Sequence, residues 1–144
     1  MGYGMPAAIA AKTARPDAPV IAYAGDGGIL MTGNELATAV QHDLPIVLII
    51  ANNSMFGTIR MHEEREYPGR EIATHLRNPD FVAWAEAFGA QGERVTTTKE
   101  FRPAMERALA AGRPAVIEVV MDQELIASNF TLTQLRARAR NVAG

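Results

Sequence analysis

Ala24-Gly25-Asp26-Gly27-Gly28, read together with Asn52-Asn53, decides how this chain folds. Each stretch closes an apolar run: Val20-Ile21-Ala22-Tyr23-Ala24 before the first, Ile46-Val47-Leu48-Ile49-Ile50-Ala51 before the second. Short apolar runs bounded by turn signals read as buried strands. Between them, Thr32-Gly33-Asn34-Glu35 has the spacing of a capping box, and Leu36, Ala37, Ala39 and Val40 are apolar at helical spacing. Strand, helix and strand with a long crossover make a parallel unit. In an open parallel sheet, ligands bind outside the carboxyl ends of the strands, where both polar stretches lie. Glycines let backbone N–H groups approach a phosphate. Asp26 and Asn53 supply hard oxygens of the kind Mg²⁺ or Ca²⁺ takes.

Outward from this centre the pattern continues. Gly2-Tyr3-Gly4-Met5-Pro6 is a turn running into an alanine-rich helix, with Pro6 suited to its first position. Arg15-Pro16-Asp17-Ala18-Pro19 ends that helix. Asn53-Ser54 opens a short helix over residues 55–61, and residues 62–77 read as a mobile, charged surface loop in which Glu63, Glu64 and Glu66 face solvent. Asn78-Pro79-Asp80 reads as a helix start with Asn78 as cap. Phe81, Trp84, Ala85 and Phe88 form that helix's buried face, Trp84 in the core, and Gly89 ends it. Residues 94–96 read as a short strand. Thr97 and Glu100 form a second capping box, followed by a stripe of Phe101, Ala104, Met105, Ala108 and Leu109. Gly112 and Pro114 stop this helix, residues 115–120 form another buried strand, and an Arg-rich helix is expected over residues 131–140.

The chain has 144 residues, a one-domain length that buries roughly two-thirds of the unfolded surface. Hydrophobic content of 48% against 21% charged residues excludes a disordered chain. A net charge of −2 without a basic block gives no sign of nucleic-acid binding. With no Cys, a disulfide framework and a Cys-based zinc site are excluded. No apolar run approaches the roughly 20 residues that cross a bilayer, and no secretory signal pattern opens the chain, so a cytoplasmic location is the default. His42, His62 and His75 lack the spacing of a metal or nucleophile site, and His42 reads as a solvated helix end.

Gly25-Asp26-Gly27, then 24 residues, then Asn52-Asn53 matches the thiamine-diphosphate-binding motif. From residue 1 to about residue 120 the chain resembles the C-terminal cofactor-binding domain of the acetolactate synthase-like family of thiamine-dependent enzymes. Met1-Gly2-Tyr3-Gly4-Met5-Pro6-Ala7-Ala8 is similar to that family's segment upstream of the motif. The resemblance implies an α/β fold, a doubly wound, mostly parallel sheet with helices on both faces. It also implies a strand before the first helix, so the chain reads as a single domain (residues 1–144) that begins inside a larger enzyme. The implied cofactors are thiamine diphosphate and Mg²⁺. Asp26, the Asn53 amide oxygen and the Met55 carbonyl would hold the metal. Gly25, Gly27, Gly28, Phe56, Gly57 and Thr58 would seat the diphosphate, with Asn52 holding the turn. Met1 aligns with the bulky apolar residue that props the cofactor in a V shape.

The departures bear on activity. Pyruvate decarboxylases of the superfamily carry Glu where this chain has Ile59, and biosynthetic acetolactate synthases carry Trp where it has His62, in a segment that lines the family's substrate channel. The reading that remains is an acetolactate synthase-like enzyme acting on 2-oxo acids, by decarboxylation and carboligation. In that family the activating Glu comes from the pyrimidine-binding domain of a neighbouring subunit, so a homo-oligomer is expected and this chain alone is not expected to turn over. A stand-alone cofactor- or partner-binding module is the alternative. Generic nucleotide binding is disfavoured, because neither Gly-x-Gly-x-x-Gly nor a Walker-type Lys follows the first strand.

Overall fold

A computed structural model describes residues 1–127 and 129–142. Four parallel strands form one sheet: β1 (Val20–Gly25), β2 (Ile46–Asn52), β3 (Gln91–Val95) and β4 (Ala115–Val120), in the order β1-β2-β4-β3. Among the described residues, seven α-helices accompany them: α1 (Gly4–Ala14), α2 (Asp26–Ile29), α3 (Leu36–Gln41), α4 (Gly57–Glu66), α5 (Phe81–Ala87), α6 (Thr98–Ala110) and α7 (Leu132–Val142). The expected α/β architecture is present, with helices on both faces of a parallel sheet.

The core follows from strand parity, since successive side chains point to opposite faces. On central strand β2, Ile46, Leu48 and Ile50 enter one cluster with Met5 and Ala8 of α1, Leu36 and Ala39 of α3, and Phe81 and Ala85 of α5. Val47 points the other way, into a cluster with Val95, Ile117, and Ala104 and Ala108 of α6. Burial on both faces explains why β2 reads as an unbroken apolar run. Strand β1 is an edge among the described residues. Its Ala22 is buried, whereas Ile21 and Tyr23 on its second face are 51% and 68% exposed. No helix among the described residues is long and apolar enough to cross a membrane.

Several local expectations are corrected. Helix α1 begins at Gly4, two residues before Pro6. Thr32 and Glu35 form no capping box: the Thr32 hydroxyl donates to the Gly2 carbonyl (2.9 Å), and the Glu35 carboxylate accepts from Thr38. A 3₁₀ turn, Gly33–Glu35, leads into α3. Asp80, not Asn78, caps α5, its carboxylate accepting from the Val82 and Ala83 N–H groups at 3.0 and 3.1 Å. Strand β3 starts earlier than residue 94 and ends at Val95. The Thr97/Glu100 capping box forms as read. Gly89, just beyond α5, and Gly112, just beyond α6, have φ of +89° and +65°, the left-handed conformation that glycine takes at helix ends.

The largest correction concerns residues 62–77. Residues 62–66 continue α4, and Glu64 is 1% exposed rather than solvated. A carboxylate so buried must be paired. Arg136 of α7 grips it with two hydrogen bonds (2.6 and 2.7 Å), Arg60 forms an ion pair with it (2.7 Å), and the Gly69 N–H donates at 3.1 Å. Arg60 also pairs with Glu71. This clasp packs α7 on α4 and ties the following loop to both.

The Arg136 hydrogen bonds lower the Glu64 carboxyl from 4.5 to about 2, against the opposing effect of burial. Because the folded-state value lies below the unfolded one, the stabilisation is complete above pH 4.5 and is lost as the pH falls towards 2. We expect a stability loss of order 3 kcal/mol across that window. Denaturant unfolding of the wild type and Glu64→Gln at a series of pH values measures it. The variant should be less stable at neutral pH and lack this portion of the pH dependence.

Candidate cofactor site

Strand β1 ends at Gly25, whose extended backbone (φ −73°, ψ 157°) turns directly into α2. Asp26 is therefore the first helical residue, and its side chain is buried, 2% exposed. One carboxylate oxygen, Oδ1, accepts from the Gly27 N–H at 2.9 Å; the other, Oδ2, accepts from Asn78 Nδ2 at 2.8 Å. Around this turn opens a cavity of about 430 Å³, within the range of small-molecule sites.

Of the residues singled out in the sequence, Met1, Gly25, Asp26, Gly27, Gly28, Met55, Phe56, Gly57 and Thr58 line this cavity. Asn53 does not: its Oδ1 accepts from the Met55 N–H at 3.3 Å, beside the wall. The glycines differ in role. A Cβ on Gly27 would lie 2.5 Å from the Phe56 ring, so Gly27 is needed for packing. A Cβ on Gly25 or Gly28 would meet nothing within 4 Å, so those two positions leave open room beside Asp26. Gly57 and Thr58 open α4; the Gly57 N–H donates to the Met55 carbonyl at 2.9 Å, and the helix dipole at this end favours an anion. Met1 is 72% exposed at the mouth, and the Thr32 bond to Gly2 tethers this segment.

The Asn pair is held by its own turn. Ser54 adopts a left-handed φ of +54°, with its N–H donating to Asn52 Oδ1 at 3.0 Å. Residues 54–56 then pair with 74–76 through an antiparallel bridge between Met55 and His75, with Phe56 N–H donating to Thr74 and Leu76 N–H to Ser54. This pairing carries Asn78 to Asp26. Asn78, Glu118 and Arg94 were missed in the sequence as site residues. A signal existed for Glu118: a carboxylate inside Ala-Val-Ile-Glu-Val-Val of a buried strand demands a partner.

His62 is exposed, accepts from Arg65 and stands outside the cavity lining. His75 pairs with Glu71 at the surface, and His42 is exposed. Trp84 packs edge-on against Phe81 and Phe88 at the rim of the core. Ile59 does line the cavity, giving that wall an apolar side chain.

No three His, Cys, Asp or Glu side chains come together to hold a metal among the described residues. A cation here would have to use one carboxylate, amide and carbonyl oxygens, and oxygens of a bound ligand. Mg²⁺ takes such sets, with few carboxylates and substrate phosphates. The buried Asp26, the open room at Gly25 and Gly28, and the α4 N-terminus fit a metal-bound diphosphate.

Comparison with known proteins bears on the cofactor. Residues 1–119 match the family described as thiamine pyrophosphate enzyme, C-terminal TPP binding domain. An acetolactate synthase large subunit of Corynebacterium glutamicum is 39% identical over 130 residues, 86% of this chain and 21% of that protein. A sulfoacetaldehyde acetyltransferase of Alcaligenes xylosoxydans is 37% identical over 128 residues, with the same shares covered. Among solved structures, the thiamine diphosphate-dependent 4-hydroxybenzoylformate decarboxylase of Rhodococcus jostii superposes with a TM-score of 0.80 at 37% identity, covering 85% of this chain and 23% of that one. The chain thus spans about a fifth of the length of these relatives. It belongs to the C-terminal TPP-binding domain family of the thiamine pyrophosphate enzymes.

Proposed function

We propose that this chain binds the diphosphate of thiamine diphosphate through Mg²⁺, as one domain of an acetolactate synthase-like enzyme that acts on 2-oxo acids by decarboxylation and carboligation. The observation that carries the reading is the buried Asp26 carboxylate at the carboxyl end of β1, flanked by two glycines with open room. Asp26 and the Met55 carbonyl would contact the metal, joined by the Asn53 amide oxygen after a side-chain turn towards the cavity. The backbone at Gly25 and Gly28, with the α4 N-terminus at Gly57 and Thr58, would receive the phosphates. Met1 and Ile59 would bound the cofactor's apolar side.

When bound, thiamine diphosphate supplies the thiazolium carbon that adds to a 2-oxo acid. The chain's own residues anchor and orient the cofactor. Among the described residues, the cavity lining carries no His, Lys, Cys or Glu side chain, and its one carboxylate, Asp26, is assigned to the metal. Proton transfer at neutral pH therefore falls to a group supplied from elsewhere, which supports a shared site with the pyrimidine-binding domain of a neighbouring subunit in a homo-oligomer. The relatives' names span synthase, transferase and decarboxylase, so the acceptor is assigned no further than this class.

Calorimetry on the protein carrying this chain tests the anchor. Thiamine diphosphate should bind with Mg²⁺ present and not in EDTA. Asp26→Ala should weaken it by at least about a hundredfold, the upper end of what even outer-shell changes cost; unchanged affinity would refute the assignment. The glycines give a second test. Gly28→Val should leave the unfolding free energy within about 0.5 kcal/mol, because the side chain enters open room, yet weaken cofactor binding tenfold or more. Gly27→Ala should instead destabilise the fold by about 1–3 kcal/mol through the clash with Phe56.

A further inference from the structure

A continuous run of side-chain hydrogen bonds crosses the carboxyl edge of the sheet, and one member of it has no explanation in the stability of this chain. Asn78 Nδ2 donates both to Asp26 Oδ2 and to Asn52 Oδ1, each at 2.8 Å. Asn52 Nδ2 donates to Glu118 Oε1 at 2.7 Å. Glu118 Oε2 accepts from Arg94 Nε at 2.7 Å, and Arg94 Nη2 donates to Asp80 Oδ1 at 2.9 Å, the oxygen that caps α5. The run starts just beyond β1 and takes in β2, β4 and β3 in their spatial order. Arg94 and Glu118 are direct neighbours in the sheet register.

Every amide orientation in the run is fixed. Turning Asn52 over would set its oxygen against the Glu118 carboxylate. Turning Asn78 over would set a carbonyl against two acceptors, Asp26 Oδ2 and Asn52 Oδ1. The Glu118 side chain, 4% exposed, has its charge met by Arg94, whose guanidinium is in turn raised above its usual range chiefly by that bond. The Asn78 Oδ1 atom, by contrast, is buried without a partner. Leaving a buried acceptor unpaired costs free energy, so an asparagine here is a poor choice for folding alone. What it does supply is an NH₂ group that holds one oxygen of Asp26 and ties its carboxylate to the Asn52 turn.

We propose that Asn78 is a positioning residue for Asp26, fixing the rotation of its carboxylate so that it meets the cofactor's metal ion in one orientation. The proposal rests on the reading that Asp26 is a ligand of that metal. Asn78 itself stays off the cavity lining and acts only through Asp26, with Asn52, Glu118 and Arg94 keeping the Asn78 donor pointed inward. Outer-shell partners of this type are worth roughly 10–100-fold in metal affinity.

The test is titration of Mg²⁺, and of Mn²⁺ read by its electron paramagnetic resonance spectrum, into the protein carrying this chain with thiamine diphosphate saturating. The wild type, Asn78→Ala, Asp26→Asn and the double variant are compared, with Asn78→Ser in place of Asn78→Ala if the latter does not fold. Asn78→Ala should weaken Mg²⁺ about 10–100-fold and broaden the Mn²⁺ spectrum as the ligand loses its fixed orientation. In the Asp26→Asn background the same change should add less than about twofold, because there is no carboxylate left to position. Two results overturn the proposal while leaving the metal reading intact. One is a loss below twofold in Asn78→Ala beside a large loss in Asp26→Asn; the other is an equal loss in both backgrounds. If Asp26→Asn leaves Mg²⁺ affinity unchanged, the metal reading falls and the proposal with it.

Discussion

All four strands run parallel, so all four carboxyl ends open on one edge of the sheet. That constraint shapes everything else. The strands end where apolar packing stops, and polar groups gather there without the mutual hydrogen bonding that a sheet interior provides. Each such group must find a partner locally or carry the cost of burial. The chain meets the constraint with one connected network, Asp26–Asn78–Asn52–Glu118–Arg94–Asp80, which spans the edge and finishes by capping α5. Parity makes this possible. The alternation that sends Ile46, Leu48 and Ile50 to one face also sends Asn52 there. On β4, Val116 and Glu118 share that face, and Arg94 on β3 is in register with Glu118.

The same edge shows why similar residues in a motif need not have similar duties. Gly25, Gly27 and Gly28 look equivalent in the sequence. In the fold the Phe56 ring occupies the space above Gly27, and nothing occupies the space above the other two. Packing therefore explains one glycine and leaves two to be explained by what approaches them. Asn52 and Asn53 divide in the same way. Asn52 makes side-chain contacts with Ser54, Asn78 and Glu118, whereas the Asn53 oxygen is engaged only with the Met55 N–H.

The sequence was most legible where local rules and tertiary packing agree. The β2 run, the Thr97/Glu100 capping box and the glycines after α5 and α6 were all readable, because parity, capping and left-handed φ are decided within a few residues. It misled where a long-range partner outbid a local one. Thr32 had capping spacing, but its hydroxyl reaches Gly2, 30 residues away. Asn78 had cap chemistry, but Asp26 and Asn52 claim its amide, and Asp80 caps instead. Glu64 looked solvated within a charged run because its main partner, Arg136, lies 72 residues further on. Of the site, the glycine turn and Asp26 could be read, since they sit at a strand end; α4 starts at Gly57, two residues later than the expected residue 55. The outer network could not, because it is assembled from four separate strand ends.

Helix α4 joins the two buried polar systems. Its first residues, Gly57 to Ile59, line the cavity, and Glu64 lies seven residues further on, about 10 Å along the axis. A helix transmits a fixed end as a fixed whole, so the Arg136–Glu64–Arg60 clasp holds the N-terminal turn of α4 against the cavity as well as holding α7 on its side. The electrostatics point the same way. A buried anion in the C-terminal half of a helix opposes the helix dipole, and the two arginines that surround Glu64 offset that opposition. With the C-terminal half neutralised, the first turn at Gly57 and Thr58 remains the positive end of α4, on the wall of the cavity that also holds Asp26, with the Gly57 N–H itself donating to the Met55 carbonyl at 2.9 Å. Among the described lining residues no side-chain cation stands on the wall, so that end is the cavity's positive pole.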